Sequence, residues 1–202
     1  MKKFSWIFAL ILALSMAFVF AGCGEEPANP GSFDGQGPKN IDVLAGFIAT
    51  FDADDLDGSG LVLANDDLGD YFARSGSPTL TLTDKSLKVT GCVGNGDYFG
   101  FTLLTEYFTT EVKVAPPFDL TFKGKLITPG QLKISMAGGP YGEVKRQAAA
   151  GAADSTFEIT GTVTAYFLTA NGDDGSPAGV RLQSIGGSVA DFEITGITIV
   201  KK

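Results

Sequence analysis

The sequence has no histidine, one tryptophan and two cysteines, and each scarcity removes a class of chemistry. Without histidine, the commonest general base and the commonest transition-metal ligand are both missing. No serine elbow and no phosphate-binding glycine loop occurs either. Basic residues are outnumbered, 15 Lys and Arg against 23 Asp and Glu, giving a net charge of −8. Binding to nucleic-acid phosphates needs a basic footprint, so nucleic acid is not an expected partner. No segment shows a convincing helical stripe, which leaves β-structure as the expected framework.

The apolar start of the chain is organised as an export signal. Lys2 and Lys3 precede a run from Phe4 to Phe20 that is apolar apart from Ser5 and Ser15. Its roughly 17 residues are near the lower limit for a spanning helix, and with a basic start and a small-residue end the run reads as a cleavable leader. Phe20-Ala21-Gly22-Cys23 resembles a bacterial lipobox, with Phe20 where that motif usually has Leu or Val. Residues 1–22 are therefore expected to be a signal peptide and Cys23 the lipidated first residue of the mature chain. Such a protein sits in the bacterial cell envelope, lipid-anchored to a membrane and facing the periplasm or the exterior. An ordinary signal peptide cut near Ala21, with Cys23 unmodified, is the alternative. Lipidation would use up Cys23 and leave Cys92 without a disulfide partner, so a half-buried free thiol is expected there. The leader also takes Trp6, Lys2 and Lys3 with it, and the remaining 13 basic and 23 acidic side chains give a net charge of −10.

Residues 24–40 are Gly-, Pro- and polar-rich without an apolar period, the composition of a flexible tether following Cys23. Residues 41–202 suffice for one domain with a full core. Within it, short alternating runs are separated by Gly, Asn, Asp and Pro. In Ser86–Val93, Leu87, Val89 and Val93 share one face, while Lys88, Thr90 and Cys92 share the other. Phe99 and Phe101 oppose Tyr98 and Gly100; Leu132, Ile134 and Met136 oppose Gln131, Lys133 and Ser135; Val180 and Leu182 oppose Arg181 and Gln183. So many half-buried strands require two apolar sheet faces turned toward each other. The expected fold is all-β, a two-sheet antiparallel β-sandwich of jelly-roll type. Ala148–Ala150 is expected in a connection. The pentapeptide FEITG at Phe157–Gly161 and Phe192–Gly196 reads as two strands of similar pattern rather than a repeat.

The order SLKVTG, DYFGFTL, FDLTFKGKL, QLKISMAG, FEITGTVTAYF, GVRLQSI, DFEITGITIV, with FDADDLDGSG ahead of it, resembles the progression in jelly-roll carbohydrate-binding modules of the xylan- or β-glucan-binding type. That resemblance implies a sheet face contacting sugar, with Cys92 where the family has Arg, Tyr98 where it has Trp, and Gln183 at a Glu or Gln position. Arg181 shares the outward parity of Tyr98 and Gln183, and Tyr141, in a Gly-Pro turn, is a further candidate wall. An aromatic face stacks on sugar C–H groups, while amide and guanidinium groups hydrogen-bond hydroxyls. The resemblance also implies a structural calcium, for which Asp52, Asp54, Asp55 and Asp57 are the candidate ligands. Their spacing is not that of an EF-hand, and a merely solvated acidic loop is the competing reading.

Two functions are thus expected from different classes. One is a membrane-tethered, non-catalytic lipoprotein that holds polysaccharide of xylan or β-glucan type through an exposed sheet face. The other is a structural or adhesive surface lipoprotein that binds a cell-surface protein through short polar residues such as Thr160, Thr162 and Thr164. An enzyme is not expected, because the compact Glu-x-Asp-x-x-Glu arrangement of laminarinase-type hydrolases is absent and Glu158 and Glu193 are each followed by Ile-Thr.

Overall fold

The computed structural model describes residues 40–56, 59–94, 96–102, 107–108, 114, 116–137, 148–164, 179–185 and 188–202. Cys23, its leader, the tether as far as Lys39, Asp57 and Tyr141 lie outside the described residues, whereas Asn40, expected to end the tether, already belongs to a strand.

Among the described residues, twelve strands run in chain order: β1 (Asn40–Asp42), β2 (Leu61–Val62), β3 (Phe72–Ser75), β4 (Thr79–Leu82), β5 (Leu87–Thr90), β6 (Tyr98–Phe101), β7 (Phe118–Leu126), β8 (Gly130–Ala137), β9 (Ala148–Gly151), β10 (Thr156–Val163), β11 (Gly179–Ser184) and β12 (Phe192–Lys201). They form two antiparallel sheets. One has the order β10-β7-β12-β5-β4-β2, with β1 also pairing to β12; the other has the order β3-β6-β11-β8-β9. The chain is an all-β, two-sheet antiparallel sandwich.

The alternation of side chains explains the sandwich. In β7, Phe118, Leu120, Phe122 and Leu126 are buried; in β10, Phe157, Ile159 and Val163; and in β12, Phe192, Ile194, Ile197 and Ile199. From the second sheet, Phe99, Phe101, Leu132, Ile134, Val180 and Leu182 enter the same core. Each large apolar side chain so buried contributes about 1.5–3 kcal/mol relative to exposure. A chain of aromatic contacts links the two sheets: Phe72–Phe101 at 5.3 Å, Phe101–Tyr107 at 4.8 Å, Tyr107–Phe108 at 5.2 Å and Phe108–Phe118 at 4.5 Å between ring centroids.

Strand β12 holds the seven-stranded sheet together. One edge of it pairs with β7 along nearly its whole length, and the other pairs with β5 through Phe192–Ile194 and with β1 through Thr198–Val200. The two FEITG segments lie in β10 and β12, on either side of β7. At the centre of that trio is Gly124, where an added Cβ would lie 1.9 Å from the Glu193 carbonyl oxygen and 2.7 Å from the Phe157 ring. The strands close to their observed spacing only because this position has no side chain.

Three sequence expectations are corrected. A short helix, α1 (Val43–Ile48), follows β1; Asp42 caps it by accepting from the Ala45 backbone N–H at 3.0 Å, and Val43, Leu44 and Phe47 are buried. Ala148–Gly151 is not a connection but the edge strand β9, paired to β8, because backbone pairing at an edge requires no side-chain alternation. Strand β5 stops at Thr90, where Gly91 turns to φ +72°, so Val93 is 81% exposed in a loop instead of sharing the face of Leu87 and Val89. Beyond these corrections, β12 is bulged between Ile194 and Gly196, which inverts its parity and brings Ile197 and Ile199 inward.

Candidate functional site

The outward side of the five-stranded sheet is where three of the expected ligand-binding residues meet. Antiparallel register puts Tyr98 of β6 directly beside Gln183 of β11, and Arg181 of β11 between Gly100 of β6 and Ser135 of β8. Gly100 has a reason to be glycine: a Cβ there would lie 2.7 Å from the Arg181 Cβ. With that space open, Arg181 extends along the diagonal and places its guanidinium carbon 4.6 Å from the centroid of the Tyr98 ring. Such a cation–π contact is worth about 0.5–2 kcal/mol, depending on desolvation.

Ser135 connects the remaining groups. Its hydroxyl accepts from Arg181 Nε at 3.2 Å and donates to Gln183 Oε1 in a short hydrogen bond. The relay fixes the planes of both side chains. With its carbonyl oxygen engaged, Gln183 has only N–H donors left to offer.

Tyr98 is 2% exposed and Gln183 9%, so these two residues are not displayed on the surface as the resemblance implied. The parity of Tyr98 is outward, but its ring lies beneath Arg181, and the half-buried guanidinium takes the place of the expected aromatic platform. The Tyr98 hydroxyl is buried and makes no hydrogen bond. A buried, unbonded hydroxyl costs about 1–3 kcal/mol, so it calls for an explanation.

The start of β6 is held from below. Asp97 accepts from the backbone N–H groups of Val93 at 2.7 Å and Gly94 at 3.2 Å, and its carboxylate packs on Gly76, where a Cβ would lie 1.7 Å from Oδ1. This buried loop anchor sets the position of the adjoining Tyr98.

Cys92 is not part of the constellation, contrary to the outward position expected from its alternation. It follows the end of β5, is partly buried against the core, and its N–H donates to Asp191 Oδ1 at 2.9 Å. Burial, reinforced by the Asp191 and Asp97 carboxylates, pushes its thiol up to about 12. A thiol so raised is almost wholly protonated at neutral pH, which disfavours its acting as a nucleophile.

The opposite sheet carries a different surface chemistry. Lys123 pairs with Glu158 at 3.3 Å, Lys125 with Glu193 at 3.1 Å and Lys202 with Asp119 at 2.9 Å. Burial works against ionisation of Glu193, but hydrogen bonds from Ser86 and Lys125 and the charges of Lys125 and Lys88 hold its carboxyl below the ordinary value. Asp119 is likewise lowered, first by the hydrogen bond from Thr162. Carboxylates held ionised in this way are not proton donors for glycoside cleavage. Two of the three threonines expected to serve a protein partner are engaged internally, Thr160 with Thr121 at 2.8 Å and Thr162 with Asp119 at 2.6 Å, while Thr164 is exposed.

Asp52, Asp54 and Asp55 are exposed around a 3-10 turn at Ala53–Asp55. Among the described residues, no three potential ligands form a group able to hold a metal ion. Those three aspartates do not by themselves make the calcium site that the resemblance implied.

Sequence reasoning missed Ser135 and Lys133 as members of this face. Their outward parity in QLKISMA was readable, but the register that sets them against Arg181 and Gln183 was not.

No protein-family model and no curated protein matches the sequence. The structure is similar to the CBM22-1 xylan-binding domain from Paenibacillus barcinonensis Xyn10C, with 16% identity, 71% of this chain and 97% of that one covered, and a TM-score of 0.42. It is similar as well to the N-terminal cellulose-binding domain of Cellulomonas fimi β-1,4-glucanase C, with 17% identity, coverage of 65% and 89%, and a TM-score of 0.42. A family 29 carbohydrate-binding module from Piromyces equi matches with 14% identity, coverage of 64% and 80%, and a TM-score of 0.36.

Proposed function

We propose that this protein is a non-catalytic glycan-binding lipoprotein, anchored through Cys23 to a membrane of the bacterial cell envelope and holding polysaccharide on the outward face of its five-stranded sheet. The observation that carries the reading is the Tyr98–Arg181–Ser135–Gln183 constellation, in which planar groups are fixed by one another and a buried phenol hydroxyl has no partner. Sugar recognition uses oriented hydrogen-bond donors, which Arg181 and Gln183 can present here, and the Tyr98 hydroxyl becomes available to a sugar where Arg181 moves aside. The lipid anchor rests on the lipobox-like FAGC sequence, and the tether composition of residues 24–40 would give the domain reach from the bilayer.

The test is affinity electrophoresis of the purified protein through gels containing xylan, β-glucan, mannan or pectin. Retardation by at least one polymer, weakened in Tyr98→Phe, is the expected result. Free migration through every gel would overturn the glycan reading. Globomycin sensitivity of processing, with metabolic palmitate incorporation lost in Cys23→Ser, tests the anchor separately.

A further inference from the structure

Among the described strand residues, Tyr98 is the only aromatic side chain with outward parity on the five-stranded sheet, yet it is 2% exposed. Its register neighbours are Ser75 of β3 on one side and Gln183 of β11 on the other. Over its face lies the guanidinium of Arg181, 4.6 Å from the ring centroid. That cover is a side chain which starts one strand away and reaches the ring by its own length. An arginine stem is long and rich in rotamers, and its cross-strand row offers it room, since the neighbours there are Gly100 and Ser135, with Ala73 beyond Gly100. Arg181 is half-buried, whereas the Tyr98 hydroxyl is fully buried and makes no hydrogen bond. The free fold therefore keeps a polar atom in an unfavourable state close to a side chain able to move. That cost is released when the cover leaves and the hydroxyl meets a partner.

From this arrangement we infer, building on the glycan-binding reading above, that Arg181 is a displaceable lid on the binding face. In the free protein the guanidinium occupies the face of the Tyr98 ring. On binding, a pyranose takes its place, laying its C–H face on the ring and hydrogen-bonding to the hydroxyl, while Arg181 turns to the rim. The contacts that hold the lid shut include the ring itself and Ser135 Oγ, which accepts from Arg181 Nε at 3.2 Å. Lifting the lid breaks that bond but not the one Ser135 donates to Gln183, so the amide keeps its orientation for the incoming sugar. The lid also selects. A ligand shifts the shut and open forms only by its differential affinity for them, and the open form differs in offering an uncovered ring and hydroxyl. Sugars with an apolar ring face are therefore favoured over small polar solutes.

Arg181 is one of three arginines in the chain, so in nitrogen-15-labelled purified protein its Nε–H resonance is assigned by its absence in Arg181→Lys. Above Tyr98 that resonance is displaced by the ring current. Saturation with xylohexaose, cellohexaose, mannohexaose or hexagalacturonate, tried in turn, is expected to return it to the position of an unstacked arginine with at least one of them. A hexasaccharide that binds while the resonance stays displaced overturns the lid and leaves glycan binding standing. A spectrum unchanged by all four overturns both. A second measurement needs no ligand: nitration of Tyr98 by tetranitromethane, located by peptide mass, is expected to be roughly tenfold or more faster in Arg181→Ala than in the unaltered protein, because the reactivity of a covered group tracks its open population. Equal protection of Tyr98 in the folded variant would mean that another group covers the ring, and overturns the inference. Should Arg181→Ala not fold, the resonance in the unaltered protein still decides.

Discussion

Replacing Tyr98 by Phe removes a single oxygen atom, and the structure predicts opposite signs for its two effects. In the free protein that oxygen is buried and makes no hydrogen bond, so the folded state bears its desolvation without a return. Deleting it is expected to stabilise the fold by about 1 kcal/mol, the lower end of the cost of an unsatisfied buried hydroxyl. For a domain of this size, that is a rise in Tm of roughly 2–4 °C. The ring and its contact with Arg181 remain, so packing is unchanged. Binding moves the other way: a hydroxyl satisfied by a sugar contributes about 0.5–1.5 kcal/mol, and its loss weakens affinity roughly 2- to 12-fold. Urea denaturation and calorimetric titration on the same two preparations measure both quantities. A fall in stability would refute the reasoning, because it would mean that the hydroxyl is already bonded in the free fold. A stabilised variant with unchanged affinity would separate the hydroxyl from the ligand.

Cys92, raised to about 12, is expected to react with thiol reagents at pH 8 about a thousandfold more slowly in the folded protein than in denaturant, since the thiolate is the reactive species; comparable rates in a timed labelling assay would contradict that. The lowered carboxyl of Glu193 contributes stability that is fully present above its ordinary value of 4.5 and is lost as pH falls below it toward the folded value. Glu193→Gln should therefore flatten the acid limb of the stability profile, and an identical limb in the two proteins would exclude this contribution. Gly124→Ala should destabilise by about 1–3 kcal/mol, the range for overpacking a tight interior, whereas Gly196→Ala, whose Cβ would meet nothing closer than the Lys123 Cβ at 3.8 Å, should be far milder. Equal denaturation midpoints for these two variants would show that the strands can separate to admit a methyl group.

Alternation made most of the sandwich legible. Phe118, Leu120 and Phe122 in β7, or Leu132 and Ile134 in β8, recur every second residue because each strand has one buried face. Where that condition fails, the pattern fails too. Strand β9 is a short run of small residues at an edge, and α1 is only six residues long, held by its Asp42 cap and its contacts with β12. The bulge in β12 did leave a mark: Ile194 and Ile197, both buried, are three apart, a spacing no regular strand permits. At the candidate site, parity placed Tyr98, Arg181 and Gln183 on one face correctly, but exposure is not a local property. Tyr98 is covered by a residue more than eighty positions later in the chain, and only the β6–β11 register brings the two together.

The bridging role of β12 also has a temporal side. Until its ten residues are available, β7 with β10 on one side and β5 with β4 and β2 on the other have no strand between them, and β1 has no partner at all. Synthesis runs from β1 toward β12, so β1, β2, β4, β5, β7 and β10 are all made before the strand that joins them. Completion of the seven-stranded sheet therefore waits on β12, which joins its two halves in one step.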